Sequence, residues 1–161
     1  MVQNQDKLSG IVEIDETYIG GKHKELGKYD NKTSIVNMTE RKGLAKAKFD
    51  YADATVANNM LTAYVEPSST IHSDDSRIYS YVKRHFNHGV VNHRLKQYVI
   101  GEVHTNSIEG FWGQLKRSID GTYHAVSSKH LQSYLDQFVF LYNHLAESVY
   151  PIFFERASKQ V

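Results

Sequence analysis

Cysteine is absent from all 161 residues, which excludes disulfides, thiolate zinc sites and cysteine nucleophiles. No apolar stretch approaches the roughly 18 residues that a membrane-spanning helix needs. The N-terminus shows no charged-then-apolar leader, so the expectation is a cytoplasmic protein with no membrane partner. Charge of one sign is missing too: 19 Lys and Arg face 18 Asp and Glu, a formal net of +1. Nucleic-acid binding usually shows as a basic excess or patch, so composition alone gives no hint of DNA. Internal repeats, low-complexity segments and long linkers are lacking. What is present is a chain 40% hydrophobic and 12% aromatic, which argues for a folded protein. Its length suits one domain over 1–161 with a proper core.

The pattern of apolar residues predicts a strand over 11–19, closed by the turn signal Gly20-Gly21. A polar, lysine-bearing loop runs to about residue 32. Strands over 33–39 and 45–52 read as a hairpin around Lys42-Gly43. Val56, Met60, Leu61 and Tyr64 have helical spacing over 55–65, and Pro67 provides a stop. Next come a short strand over 69–73, a short helix over 77–86, and a strand at Val90-Val91-Asn92. From Asn106, the residues Ile108, Phe111, Trp112, Leu115 and Ile119 form one stripe of an amphipathic helix. A second long helix from Ser127 carries Leu131, Tyr134, Leu135, Phe138, Leu141, Tyr142 and Leu145. This order predicts an α/β domain, a mixed sheet flanked by helices in the arrangement of an RNase H-like fold.

Three acids stand where two-metal chemistry needs them. Asp15 ends the run Ile11-Val12-Glu13-Ile14, Asp74 ends Thr70-Ile71-His72-Ser73, and Glu109 lies one turn into a helix. Oxygen-only ligands suit hard divalent cations. Phosphoryl transfer by that route needs carboxylates that bridge and flank two ions about 4 Å apart. Strand ends serve well, because the sheet fixes the direction of the side chain.

Each acid also has a structural reading. Asp15 could simply end a strand, with Glu13 and Glu16 as the liganding pair. Alternation puts Glu13 on the same face as Asp15 and Glu16 on the opposite one, which makes Glu13 the expected helper. Asp74-Asp75-Ser76 is an ordinary turn or cap signal, and Asp75 is an alternative second ligand. Asn106 and Glu109 fit the N-cap and N3 positions of a capping box.

The helix around Glu109 carries more. Glu109, Gly113 and Lys116 fall within about 60° of one another on a 3.6-residue helix. Lys116 is placed to meet a phosphate as a point charge, or else to pair with Asp120 one turn on. Basic clusters also occur at Lys22-His23-Lys24 with Lys28 and Lys32, at Lys83-Arg84-His85, at Arg94 with Lys96, and at Lys116-Arg117. Any one of them can be a solvated surface face. Nine histidines raise the question of zinc, but His85, His88, His93 and His104 match no standard finger spacing. His104, just before the helix of Glu109, is a candidate to touch DNA or tune the site.

With these residues in view, the chain resembles a family. Val12-Glu13-Ile14-Asp15-Glu16-Thr17-Tyr18-Ile19-Gly20-Gly21-Lys22 resembles the opening motif of the DDE transposases of bacterial insertion sequences, in the ISXO-two-like group. His104-Thr105-Asn106-Ser107-Ile108-Glu109-Gly110-Phe111-Trp112-Gly113-Gln114-Leu115-Lys116 resembles that group's third-acid helix. Gly121-Thr122-Tyr123-His124, Ser127, Lys129-His130-Leu131, Tyr134-Leu135 and Phe138 resemble its closing segment. Ser73-Asp74 with Tyr79, and Val91-Asn92-His93, fit the middle motifs.

The resemblance implies a catalytic domain that cuts transposon-end DNA and joins the freed 3′-hydroxyl to target DNA. It implies Asp15, Asp74 and Glu109 as holders of two Mg²⁺ ions, with Mn²⁺ as a substitute. Lys116 would occupy the family's basic position, and Lys22, His104, Asn106 and Arg117 join it as DNA-contact candidates. Partners would be transposon ends, target DNA and further copies of the chain on DNA. Relatives usually carry an N-terminal DNA-recognition region, often a cysteine-bearing zinc ribbon. This cysteine-free chain opens almost at the first acidic motif, so the expectation is the catalytic domain alone. Two alternatives remain: a metal-dependent nuclease of the same fold, and a truncated, non-catalytic DNA-binding or regulatory fragment.

Overall fold

The computed structural model describes residues 6–19, 33–92, 103–122 and 128–144. Five strands form one sheet: β1 (Ile11–Ile19), β2 (Thr33–Glu40), β3 (Ala45–Phe49), β4 (Thr70–Asp74) and β5 (Asn87–Val91). Their order is β3-β2-β1-β4-β5. The first three pair antiparallel, whereas β4 runs parallel to both β1 and β5. Among the described residues three α-helices flank it: α1 (Ala54–Tyr64), α2 (Asn106–Thr122) and α3 (Ser128–Asn143). This is the mixed, helix-flanked sheet expected of an RNase H-like fold.

Alternation along β1 decides which side chain meets which helix. Val12 and Ile14 turn to one face, where they pack with Val36, Met38, Ile71 and the α1 residues Ala57, Met60 and Leu61. The opposite face of the sheet, through Ile35, Ala45 and Ala47, packs against α2 and α3. All five stripe residues of α2, Ile108, Phe111, Trp112, Leu115 and Ile119, are buried there. On α3 the buried set is Leu131, Leu135, Val139 and Phe140. Leu141 is exposed instead, because the stripe drifts round the helix and leaves that position outside.

Side chains finish what the backbone leaves open. Asp53 caps α1 by accepting the Val56 amide at 2.8 Å. Asn143 accepts the Ala45 amide at 2.8 Å and donates to the Ala45 carbonyl at 3.1 Å. Gln132 accepts the Phe49 amide at 2.7 Å. Thus α3 covers the edge of β3, whose amides would otherwise template a further strand.

The segment after β4 departs from expectation. In place of one helix over 77–86 there are two 3₁₀ turns, Arg77–Tyr79 and Val82–Arg84. Residues i and i+3 eclipse in 3₁₀ geometry, so Tyr79 and Val82 both reach the core. β5 also begins earlier than expected, at Asn87. Leu145 lies outside the described residues.

Candidate active site

The last Cα pair between β1 and β4 is Glu13–His72. Two residues further on, alternation turns Asp15 and Asp74 to the sheet face shared by Glu13 and His72. The Asp74 charge helps raise the Asp15 carboxyl, so the two acids lie near enough to repel. They stand where the β1–β4 pairing has ended, at the carboxyl end of β4, which is where open α/β sheets form crevices.

The electrostatics show the crowding. Burial, with the negative charges of Glu16 and Asp74, pushes the Asp15 carboxyl from 3.8 up to about 7. Against this, the indole Nε1–H of Trp112 donates to Asp15 Oδ2 at 2.8 Å. Glu16 is also raised, first by burial and then by Asp74. The Tyr79 hydroxyl donates to Glu16 Oε2 and partly offsets that rise. Asp74 Oδ1 accepts the amide of Ser76 at 2.9 Å, the turn signal anticipated for Asp-Asp-Ser. Three acids therefore press on one another here, and the third is Glu16, not Glu13. It turns to the α1 face as alternation requires, yet at the end of β4 it still feels Asp74.

Glu13 has other work. Wholly buried, it accepts the Ile108 amide through Oε2 at 3.0 Å and faces Arg41 Nε through Oε1 at 3.4 Å. Arg41 Nη2 lies 3.1 Å from His72 Nδ1 and donates to the His104 carbonyl at 3.4 Å. Burial, then Arg41, holds His72 below its ordinary range. His104 Nδ1 lies between the Asn106 amide, at 3.4 Å, and Glu13 Oε1, at 3.5 Å. The expected helper of Asp15 is thus the anchor of a polar network behind it.

On α2 the cap differs by one residue from expectation. The Glu109 amide bonds to the Thr105 carbonyl at 3.1 Å, so Thr105 is the N-cap and Asn106 the first helical residue. Position N3 is then Ile108, whose amide Glu13 takes, and no capping box with Glu109 forms. Glu109, Asn106, Lys116 and Arg117 are exposed along the helix. The Arg117 guanidinium lies over Gly113, where an added Cβ would meet Nη1 at 3.4 Å. Lys22 and the whole of the first basic cluster, with His93, Arg94 and Lys96, lie outside the described residues.

Donor chemistry fits a hard divalent cation: a cation would relieve desolvated, mutually repelling carboxylates. Among the described residues, however, no three His, Asp or Glu side chains are grouped closely enough to hold a metal ion. The structure joins Asp15 to Asp74 and does not draw in Glu109. Sequence reasoning named Glu16 only as a possible ligand beside Glu13, preferring Glu13, and missed Arg41 and the polar roles of Tyr79 and Trp112. Trp112 offered one signal: it is the sole tryptophan, one turn beyond Glu109.

Sheet order, together with acids at adjoining positions of β1 and β4, defines an RNase H-like protein. Within that class, residues 7–143 match the family model described as the ISXO2-like transposase domain, and the chain belongs to that family. Nothing among curated proteins or solved structures matches it. Among the described residues no helix is long and apolar enough to cross a membrane.

Proposed function

We propose that this chain is the catalytic domain of a DDE-type transposase, cleaving transposon-end DNA and transferring the strand into target DNA. The observation that carries the reading is the Asp15–Asp74 pair: two strand-end carboxylates, one of them pushed up to about 7 by burial with help from the other's charge. A perturbed acid at a strand end, within a transposase family, supports this pair as the reacting centre.

Asp15, Asp74 and Glu109 would hold two Mg²⁺ ions, or Mn²⁺, which when bound activate the attacking oxygen and stabilise the leaving one. The chain's own groups do the rest. Below about pH 7 Asp15 keeps a proton, so proton and cation compete for the same oxygens. Glu109, on the exposed side of the first turn of α2, is the acid free to reach toward the pair. Lys116 and Arg117 extend from the same helix to meet phosphate oxygens, and Lys22, Asn106 and His104 are further contact candidates. In strand transfer the 3′-hydroxyl attacks a target phosphodiester. The attacking hydroxyl gives up its proton as its P–O bond forms, the P–O bond to the target's own 3′-oxygen breaks, and that departing oxygen takes up a proton. Paired ends would be held by more than one copy of the chain, in the cytoplasm.

The test uses pre-cut transposon-end DNA and plasmid target with Mn²⁺. Joined product that disappears with Asp74→Asn is expected. Cleavage without joining would favour a nuclease of the same fold. DNA binding unaltered by Asp74→Asn, with no cleavage in the parent, would favour a non-catalytic fragment.

A further inference from the structure

Asp15 takes its direction from Trp112. The indole Nε1–H lies 2.8 Å from Asp15 Oδ2, and the ring behind it is buried. Trp112 meets Phe111 edge-on, with centroids 5.4 Å apart and planes at 77°. Phe111 in turn meets Phe138 and Tyr142 of α3 edge-on, at 5.3 and 5.1 Å. The donor is therefore fixed by an aromatic stack spanning two helices and cannot swing away without unpacking both. A phenyl ring would fill much of the same space. What phenyl lacks is the N–H, and the N–H is spent on Asp15.

An aspartate on a strand has three χ1 wells and a broad χ2, so burial alone does not choose where its oxygens point. A donor held rigidly by packing does choose. Trp112 also follows Glu109 by one helical turn, so the bond couples the strand acid to the helix that carries the third acid. We propose that Trp112 is a positioning residue, whose indole N–H aims the Asp15 carboxylate and ties it to α2. The consequence for catalysis rests on the transposase reading; the geometry does not.

A chain with one tryptophan gives one indole N–H resonance in a ¹⁵N-labelled protein. Asp15→Ala is expected to move that resonance and speed its exchange with water. Trp112→Phe is expected to fold, with a melting temperature within a few degrees of the parent. Its affinity for Mn²⁺, read from the signal of the free ion by electron paramagnetic resonance, should weaken about tenfold. The Mn²⁺ concentration for half-maximal DNA cleavage should rise by the same factor, with much of the rate restored at saturation. An indole resonance unmoved by Asp15→Ala overturns the proposal, and so does unchanged Mn²⁺ affinity in a folded Trp112→Phe protein. If the parent itself fails to bind Mn²⁺, the transposase reading fails instead. The resonance then still decides whether Trp112 holds Asp15, and it does so without requiring the variant to fold.

Discussion

Glu13 Oε2 accepts the amide of Ile108 at 3.0 Å, joining the middle of β1 to the third residue of α2. A helix normally satisfies that amide with its own N-cap side chain. Here a buried carboxylate from the sheet does so, and the same carboxylate faces Arg41. Placement of the α2 N-terminus, and of Glu109 next to Ile108, is thereby set by the strand that bears Asp15.

Glu13→Ala should accordingly be among the costlier substitutions in the protein. It removes the acceptor of a helix amide and the carboxylate facing the Arg41 guanidinium, a loss of about 3–5 kcal/mol when one partner of a buried pair is removed. Glu13→Gln keeps an oxygen for Ile108 and loses only the charge opposite Arg41, so about 1–3 kcal/mol is expected. Urea denaturation of the three proteins at one pH checks the order.

Asp15 gives a pH prediction with a definite sign. Its carboxyl titrates near 7 in the fold and near 3.8 when unperturbed, so between these values the native state binds the extra proton. This group's contribution to stability is therefore present at low pH and lost as pH rises through about 7. Asp15→Asn, neutral at every pH, should match the parent near pH 3.8 and exceed it by a margin that grows up to about pH 7 and then levels off. Over that range the gap should widen by at most about 1.4 kcal/mol per pH unit, less where water reaches the carboxylate. Melting curves at pH 5, 6, 7 and 8 measure it. The comparison with Asp15→Asn also removes the opposite trend from His72 and His88, which burial holds below their ordinary range. Mg²⁺ at millimolar concentration should close the gap at pH 8, because the ion takes the place of the proton.

Tyr79 and Glu16 supply a third test. The phenol donates to Glu16 Oε2, and burial, then the Glu16 charge, drives the Tyr79 hydroxyl well above its ordinary range. Tyr79→Phe keeps the ring in the core and deletes the donor, so Glu16 should rise further above its usual carboxylate range. Native Glu16 would then be costlier to ionise. The variant should lose about 1.5–3 kcal/mol at pH 8, as for a bond to a charged group, and less at pH 5. Denaturation at the two values is sufficient; equal losses would show that Tyr79 matters only through packing.

What could be read from the residues, and what could not, follows the range of the forces involved. β1, β2, β3, α1 and α2 were legible because alternation and helical spacing are local signals. The α2 stripe is buried at all five positions for that reason. The stretch 77–86 was not legible as 3₁₀, since buried residues at i and i+3 suit either helix type and the choice is made by the core and by Glu16. Thr105 and Asn106 are both good caps, so the boundary was ambiguous by one residue. Partners of Glu13 and Asp15 lie on a helix far along the chain, and no local pattern announces them. The acids themselves were legible, but their company was not: alternation assigned Glu13 to Asp15, whereas the helix amide claimed it.

Glu109 offers the sharpest separation of stability from function. Its side chain is exposed and makes no hydrogen bond or ion pair among the described residues, so the folded domain gains nothing measurable from its charge. Surface substitutions of that kind usually change stability by about 0.5 kcal/mol or less. If Glu109 closes on the Asp15–Asp74 pair when cation and DNA are bound, Glu109→Gln removes a ligand charge and should lower cleavage by about a hundredfold or more. The expected result is thus an unchanged melting temperature without cation, a smaller Mn²⁺-induced rise in that temperature, and loss of cleavage. A structural acid would show none of this pattern. Lys116→Ala, on the same flank and equally exposed, should weaken DNA binding and reduce its salt dependence while leaving the Mn²⁺-induced rise intact. The two variants together distinguish an acid that serves the metal from a base that serves the phosphate. Full cleavage by Glu109→Gln at low Mn²⁺ would remove the helix acid from the site and leave Glu16 as the third carboxylate beside Asp15 and Asp74.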